Sequence, residues 1–353
     1  MNIEKTIWGK TKNSETVYLF SLVNTNGMSV KISNYGGIIQ SVLVPDKNGR
    51  IEDVVLGYDE MDEYVKHTPY FGSICGRYAN RISNSSFEID GIKYNVTPNE
   101  GKNHLHGGSI GFDKVVWEAE EIISDDHCAI KLKYLSKDGE EGYPGNLITI
   151  LKYTLNNENE LVIEYQAETD KKTHLNLTNH TYFNLTGDCT NTILDHELWI
   201  NSGNYLPIDT LAIPKGKIDQ VSGTPFDFTK LTKIGSRINL DHEQLKNGFG
   251  YDHCFIFDNF NGNLKLNAIL VDNKSGRIVE MFTTEPAVQL YTGNHLTEKF
   301  IGKNNIAYLP RTGVCLETEH YPDSPNNIEF PSTILNPNEI FNSKTVYKFK
   351  LNK

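Results

Sequence analysis

Two side chains suited to acid–base chemistry stand in strand-like runs among hydrogen-bonding neighbours. His180 lies within residues 179–183 (NHTYF), and Glu317 lies within residues 313–319 (GVCLETE). A histidine with an ordinary pKa near 6.5 can give and take a proton at neutral pH, and the flanking Asn, Thr and Tyr could hold its ring in one tautomer. A solvated strand face is the ordinary alternative for Glu317. Together the two residues indicate proton transfer to and from a polar ligand.

Five further polar side chains could bind the hydroxyl groups of such a ligand. Asn80 and Arg81 offer amide and guanidinium donors that could fork onto neighbouring hydroxyls, although a surface salt bridge is the plain alternative for Arg81. Gln289 stands inside an apolar strand, where it needs a partner. Asp252 follows a glycine-rich stretch and could be a simple turn residue, and His106 precedes two glycines.

His104 and His106 alternate in a way that could serve a metal ion. On a strand, positions 104 and 106 point the same way. A metal site of this kind wants a carboxylate about four residues further on, but Ile110 and Gly111 occupy that place. We therefore predict no metal. Two possibilities stay open, namely structural hydrogen bonds for both histidines or an orientation of His106 toward the ligand.

Charge and composition narrow the class of ligand. The chain has 353 residues and a net charge of −11, which argues against nucleic acid and anionic membranes as partners. The six arginines are scattered, and a phosphorylated ligand usually calls for a cluster of them, so a neutral ligand is favoured. No serine elbow, phosphate loop or dinucleotide fingerprint is present, and no cofactor is expected.

Targeting signals and cysteine usage bear on the compartment. The N-terminus lacks a basic region followed by an apolar one, and no apolar run approaches the length of a membrane span. The five cysteines are odd in number and lack CxxC spacing, which is typical of free thiols in a reducing compartment. We expect a cytoplasmic protein.

The hydrophobic pattern has a period of two almost everywhere. Residues 161–167 and 345–351 alternate apolar and polar side chains. Turn dipeptides separate such runs, for example Asp90-Gly91 and Ser275-Gly276. Helical periodicity is confined to residues 241–246 and 295–302. With no linker at which to divide the chain, we predict one all-β domain over residues 1–353, a large antiparallel β-sandwich with few short helices. Such a sheet can bring side chains from distant strands together on one face.

Nine motifs, in this order along the chain, carry a family resemblance. They are NYGG (34–37), GRYANRI (76–82), NHLHGG (103–108), GFDK (111–114), GEEGYPG (139–145), NHTYFNL (179–185), DH (252–253), QLYTGN (289–294) and CLET (315–318). Several are loose when taken singly, but nine in order are highly specific. Over essentially its whole length the chain resembles the galactose mutarotases (aldose 1-epimerases).

The resemblance implies a specific fold and set of roles. The fold would be the galactose mutarotase-like supersandwich, with sugar bound on its concave face. Glu317 would be the general base and His180 the general acid, and the hydroxyl-binding residues would be Asn80, Arg81, His106, Asp252 and Gln289. The implied reaction interconverts the α and β anomers of free aldohexoses such as galactose and glucose, without a cofactor. The oligomeric state stays open.

Three other functions use the same residues. A glycoside hydrolase would pair Glu317 with Asp252 as two carboxylates. A non-catalytic sugar-binding module would need the hydroxyl contacts but no acid–base pair. An epimerase of hexose phosphates is a nearer alternative, which the sparse arginines oppose.

Overall fold

The chain is folded almost entirely into β-strands. The computed structural model describes residues 1–67 and 69–352. Within these ranges there are two short α-helices, α1 (Met61–Lys66) and α2 (Glu243–Asn247). The strands, in chain order, are β1 (Asn2–Lys10), β2 (Thr16–Val23), β3 (Ser29–Ser33), β4 (Ile39–Pro45), β5 (Ile51–Asp53), β6 (Ile74–Cys75), β7 (Arg81–Ile82), β8 (Ser86–Ile89), β9 (Ile92–Asn95), β10 (His104–Leu105), β11 (Glu118–Ile123), β12 (His127–Ser136), β13 (Leu147–Asn156), β14 (Glu160–Thr169), β15 (Thr173–His174), β16 (Thr178–Asn179), β17 (Tyr182–Phe183), β18 (Glu197–Ile200), β19 (Asn204–Tyr205), β20 (Asp219–Gln220), β21 (Thr232–Lys233), β22 (Asp252–Ile256), β23 (Lys265–Asp272), β24 (Arg277–Thr283), β25 (Ala287–Tyr291), β26 (Val314–Glu319), β27 (Ile334–Leu335) and β28 (Phe341–Leu351).

Three antiparallel sheets make up most of the architecture. The largest has nine strands in the order β11-β12-β13-β14-β28-β24-β23-β18-β21, and a second has six in the order β17-β26-β25-β22-β19-β20. The first five strands form a third sheet in sequential order. One hydrophobic cluster draws residues from all three sheets, including Phe20, Leu151, Val288 and Phe349. Burial of this shared cluster is the main force that holds the sheets together.

The six-stranded sheet has two chemically different faces. Along β26, Val314 and Leu316 enter the large hydrophobic cluster, and Val288 and Leu290 do the same along β25. Because successive side chains of a strand point to opposite faces, the residues between them point away from this cluster. Glu317 is one of these intervening residues. The sequence alternation therefore places polar side chains together on one face of a sheet whose other face is packed in the core.

The structure confirms the predicted all-β class. The alternating runs 161–167 and 345–351 lie in β14 and β28, and the predicted turns at Asp90-Gly91 and Ser275-Gly276 join β8 to β9 and β23 to β24. The helical pattern at 241–246 corresponds to α2. In the described part of the chain no helix is long and apolar enough to cross a membrane.

The predicted helix over residues 295–302 is wrong. This segment contains isolated turns, in which the Phe300 N–H donates to Thr297 O. Its remaining backbone groups pair outside a helical pattern, with the Tyr308 N–H donating to Phe300 O and the Gly302 N–H to Ile306 O. These pairings satisfy the backbone without helical hydrogen bonds, so tertiary context overrides the local periodicity.

Candidate active site

A cavity of about 200 Å³ opens on the polar face of the six-stranded sheet. All seven residues singled out in the sequence line it. The described residues around the cavity are Pro69, Tyr70, Asn80, Arg81, Glu100, Leu105, His106, His180, Tyr182, Asp252, Gln289, Tyr291, His295, Leu296, Phe300 and Glu317. Polar groups thus come together in a pocket that also has aromatic walls, a composition suited to a small polar ligand.

Strand register determines which side chains meet in the floor of the cavity. Gln289 on β25 lies directly opposite Glu317 on β26, and Asp252 on β22 lies opposite Tyr291 on β25. Directly opposed residues of antiparallel strands have their Cβ atoms about 5 Å apart. The Gln289 amide donates to Asp252 Oδ1 at 2.7 Å. Three strands therefore contribute one continuous patch of carboxylate and amide groups.

His180 is held by backbone bonds and stacking. It lies between β16 and β17, where its N–H donates to Ser73 O and its carbonyl accepts from the Gly72 N–H. The imidazole stacks on Tyr182, with ring centroids 4.9 Å apart, and on Tyr70 at 5.8 Å. The ring orientation is therefore set by a rigid local backbone and two aromatic faces.

The expectation that neighbouring Asn, Thr and Tyr groups hydrogen-bond the His180 ring is wrong. Asn179 bonds Thr181 and Gly72 O, and the Tyr182 hydroxyl donates to Pro69 O. These bonds brace the backbone around the ring and do not touch its nitrogens. The partner of Nδ1 is instead the Cys315 thiol, with Sγ at 3.5 Å.

Glu317 and His180 are two ionisable side chains that approach each other in the cavity. His180 Nε2 lies 3.6 Å from Glu317 Oε1, and both residues are buried, with relative exposures of 5% and 1%. Burial raises the pKa of the Glu317 carboxyl well above its usual range, and the charges of Glu319 and Asp252 raise it further. Burial lowers the pKa of His180 to about 3. Burial thus opposes a charge on either member of the pair.

The solvated alternative for Glu317 is excluded by its burial. All six residues of β26 are buried. The second carboxylate oxygen of Glu317, Oε2, has no hydrogen-bond partner among the described residues. A buried acceptor without a partner is costly unless something else binds it.

The side chains of His104 and His106 point in different directions at the end of β10, so the prediction that they point the same way is wrong. His104 lies outside the cavity, and its two nitrogens contact Thr97 O and the Tyr143 hydroxyl, both at 2.7 Å. His106 adopts a φ of +50° and turns its ring into the cavity. The chain then turns at Gly107, where a Cβ would lie 1.8 Å from Gly76 O. Alternation fails because the strand ends between the two histidines.

His106 presents a hydrogen-bond donor to the cavity. Its Nδ1 accepts a hydrogen bond from the Asn80 backbone N–H at 3.1 Å, and burial lowers the pKa of the ring well below its usual range. A neutral imidazole whose Nδ1 accepts must carry its hydrogen on Nε2. His106 therefore offers an N–H group, which suits an oxygen atom of a ligand.

Arg81 lines the cavity but is already paired. Its guanidinium makes a two-pronged contact with Glu100, from Nε at 2.6 Å and from Nη2 at 2.7 Å. The Arg81 side chain is largely buried, whereas that of Glu100 is partly exposed. Arg81 thus forms a salt bridge, as the alternative interpretation expected. The salt bridge lies at the cavity wall, however, and not on the open surface. Its remaining N–H groups can still contact a ligand.

The chain matches one protein family along almost its whole length. The family model described as aldose 1-epimerase matches residues 18–348. The chain belongs to the aldose 1-epimerase family. It is 40% identical over 352 residues to the galactose mutarotase of Mus musculus, covering 99% of each protein, and 35% identical over 337 residues to the aldose 1-epimerase of Escherichia coli (strain K12), covering 94% of each. The crystal structure of galactose 1-epimerase from Lactobacillus acidophilus NCFM aligns with a TM-score of 0.88 at 32% identity, covering 100% of this chain and 99% of that one.

These matches confirm the resemblance inferred from the motifs. The chain is an isomerase of the mutarotase type, a class of enzyme that acts on free sugars. The antiparallel strand architecture agrees with the fold of the solved relatives. A sugar mutarotase has to move two protons, and the buried pair of Glu317 and His180 is equipped to do so.

Several residues of the mutarotase cavity were missed in the sequence. Tyr182 and Tyr291 stand two residues after His180 and Gln289, so strand alternation could have found both. Tyr70 and Glu100 lie in loops without a recognisable pattern and could be placed only by the tertiary structure. Glu319, two residues after Glu317, was not singled out in the sequence but is completely buried and bonds Asn80 of the cavity wall.

We expect mutarotase activity to survive exhaustive chelation. His106, His180 and Glu317 each bring one potential ligand atom to within 4.8 Å of the others. However, the Nε2 of His106 carries a hydrogen, as its Nδ1 accepts from Asn80, so it offers no lone pair to a metal ion. The measurement is the polarimetric rate before and after treatment with EDTA. Loss of activity that added metal restores would contradict the metal-free mechanism.

Thiol reagents should leave turnover nearly unchanged while the enzyme stays folded. Cys315 is completely buried, and burial raises the pKa of its thiol well above the usual range, so little reactive thiolate is present. We expect Cys315→Ser to keep activity within about tenfold, since the thiol touches His180 but transfers no proton in the reaction. The half-buried Cys189, changed to Ser, is the matched control. If folded Cys315→Ser were inactive, the acid–base pair would be incomplete.

Proposed function

We propose that the enzyme interconverts the α and β anomers of free aldohexoses such as galactose and glucose, with Glu317 as general base and His180 as general acid. The observation that carries the proposal is the 3.6 Å approach of the two side chains inside a buried cavity with hydrogen-bonding walls. The names of relatives in Mus musculus and Lactobacillus acidophilus, galactose mutarotase and galactose 1-epimerase, support galactose as one substrate.

The reaction requires one proton to enter and one to leave the sugar. Glu317 takes the proton from the hydroxyl on C1, and His180 gives a proton to the ring oxygen. The bond between C1 and the ring oxygen breaks, and a carbonyl group forms at C1. Rotation about the C1–C2 bond presents the other face of the carbonyl, and the same two transfers in reverse close the ring. Each transfer contributes about 10²–10⁴-fold to the rate.

The electrostatics of the pair favour the open-chain intermediate. Ring opening starts with Glu317 ionised and His180 protonated, and it ends with both groups neutral. Burial favours the neutral arrangement, since it raises the pKa of Glu317 and lowers that of His180. In the closed-sugar complex, hydrogen bonds from sugar hydroxyls to the Glu317 carboxylate stabilise its ionised form. The site thus holds an ion pair when the closed sugar ring is bound and a neutral pair when the open-chain aldehyde is bound.

The cavity favours a neutral sugar over a sugar phosphate. Arg81 is the only lysine or arginine among the described residues that line it, and its guanidinium is occupied by Glu100. A phosphate group needs charge-assisted donors that are free to bind it. The remaining polar groups, including His106, Asp252 and Gln289, suit uncharged hydroxyls because they offer both donors and acceptors.

Polarimetry of freshly dissolved α-D-galactose tests the proposal. The enzyme should bring the optical rotation to its equilibrium value faster than the spontaneous reaction, and α-D-glucose should respond as well. Methyl α-D-galactoside is the control, because its blocked C1 oxygen prevents ring opening and its rotation should stay constant. A change in rotation of the methyl glycoside would indicate a glycoside hydrolase that uses Glu317 and Asp252. Sugar binding without any acceleration would indicate a binding module.

A further inference from the structure

Glu319 is a buried carboxyl group directly behind the cavity. It lies on β26 two residues after Glu317 and has a relative exposure of 0%. Oε1 accepts a hydrogen bond from the Asn80 side-chain amide at 2.9 Å. Oε2 has no partner within the part of the chain that the structure describes. Because a buried carboxyl group is expensive, this position calls for an explanation beyond space filling.

Asn80 links Glu319 to the cavity wall. Its side-chain oxygen accepts the Arg81 backbone N–H at 2.9 Å, so the amide can turn only its nitrogen toward Glu319. Its backbone N–H donates to Nδ1 of the His106 ring, and its backbone carbonyl accepts from the His106 backbone N–H, both at 3.1 Å. Asn80 has a φ of +63°, a conformation that surrounding contacts have to maintain. Glu319 supplies one of these contacts.

Other ionisable groups surround Glu319. The charged groups that face it are Glu317 on β26, Asp252 on β22, Glu285 in the turn before β25 and Arg81 on β7. The neutral neighbours that its charge influences are Tyr78, Cys75 and Cys254. Glu285 has its own cationic partner, the His320 ring at 2.7 Å. Glu319 has the amide of Asn80 instead.

We propose that Glu319 is a positioning residue of the mutarotase, which holds Asn80 in place and sets a second buried carboxyl group beside the proposed base Glu317. Of the two carboxyl groups, only Glu319 has a side-chain amide to stabilise its ionised form. Burial raises the pKa of both carboxyl groups well above the usual range, and the Asn80 hydrogen bond opposes that rise at Glu319 alone, so Glu319 is the first of the two to ionise. Its charge then disfavours the loss of the proton from Glu317, as in other pairs of buried carboxyl groups.

Two variants separate the charge of Glu319 from its hydrogen bond. Glu319→Gln removes the charge but keeps an oxygen that can accept from Asn80. The upper limb of the pH profile of kcat/KM, where the pair loses its proton, should move to lower pH by ~1 unit, with KM nearly unchanged. Glu319→Met keeps the length but removes the acceptor, so KM should also rise by ~10-fold. Glu285 is also a buried acid, but it influences Glu317 less than Glu319 does. The control variant Glu285→Gln should therefore leave the limb in place.

A direct titration makes the test independent of turnover. In protein with ¹³C-labelled glutamate carboxyl groups, the Glu317 resonance is assigned by its loss in Glu317→Gln, and its midpoint is compared between wild type and Glu319→Gln. A lower midpoint in Glu319→Gln supports the proposal. An unchanged midpoint overturns the charge effect, and an unchanged KM in folded Glu319→Met overturns the positioning of Asn80. The inference rests on the proposed base role of Glu317, which would fail separately if Glu317→Gln stayed active.

Discussion

Replacing Glu317 by Gln should lower kcat for anomer interconversion by at least ~10²-fold while sugar still binds. The amide keeps the shape of the side chain but cannot take the proton from the C1 hydroxyl. The measurement combines polarimetric rates with galactose binding followed by tyrosine and tryptophan fluorescence. Thermal unfolding serves as the control, since loss of a buried carboxyl group should not lower the melting temperature. A folded and nearly fully active variant would overturn the mechanism, and Asp252 would be the next base to test.

The pH profile should identify the same residue. Glu317 acts as a base only when it is ionised, and burial together with Glu319 and Asp252 raises its pKa. Turnover needs the form of the pair that holds one proton, so activity should fall as the pH rises through a value above the usual range of a glutamic acid, where the pair loses that proton, and Glu317→Gln should lose this upper limb. The lower limb should come from uptake of a second proton by the pair on His180, whose pKa burial lowers to about 3. Since the pair shares one proton, each limb reports the coupled pair.

Replacing His180 by Asn should produce a second loss of about 10²-fold or more in kcat, because the ring oxygen then leaves without a proton. The amide preserves polarity but has no ionisable group. The double variant with Glu317→Gln should be much less than multiplicatively slower than either single variant, since both residues serve one concerted step. Rates that multiply fully would show that the residues act in separate steps.

A matched control guards against a purely structural effect of His180→Asn. His104 is also a buried histidine within one of the nine motifs, but its nitrogens contact Thr97 O and the Tyr143 hydroxyl outside the cavity. His104→Asn should lower stability more than kcat, because it disrupts those bonds without touching the sugar. If His104→Asn and His180→Asn lowered kcat equally in folded proteins, the acid assignment would lose its support.

Burial changes what each ionisable residue of the cavity can do. His106 has a neutral ring that donates from Nε2, so it can stabilise charge that develops on an oxygen but cannot replace His180 as a charged acid. Asp252 has its pKa raised by burial, while Arg81 and Gln289 oppose that shift. Two side chains of the same type in one cavity can thus have different roles because their partners differ.

The strand pattern and the identity of some of the cavity residues could be read from the sequence alone. Alternation along residues 161–167 and 345–351 predicted strands, because side chains of an extended backbone point to opposite faces whatever the rest of the fold. The same local rule placed Cys315, Glu317 and Glu319 on one face of β26. The nine ordered motifs identified the family and pointed to seven of the sixteen described residues that line the cavity.

Only the tertiary structure decided how these residues are partnered and charged. His104 and His106 point in different directions because β10 ends between them. Glu100, a loop residue, pairs with Arg81, and Cys315 contacts the His180 ring in place of the expected neighbours. Such contacts join positions far apart in the chain, so they depend on strand register and loop paths that no local pattern contains. The raised pKa of Glu317 has the same origin, since burial and the approach of other carboxyl groups exist only in the folded protein.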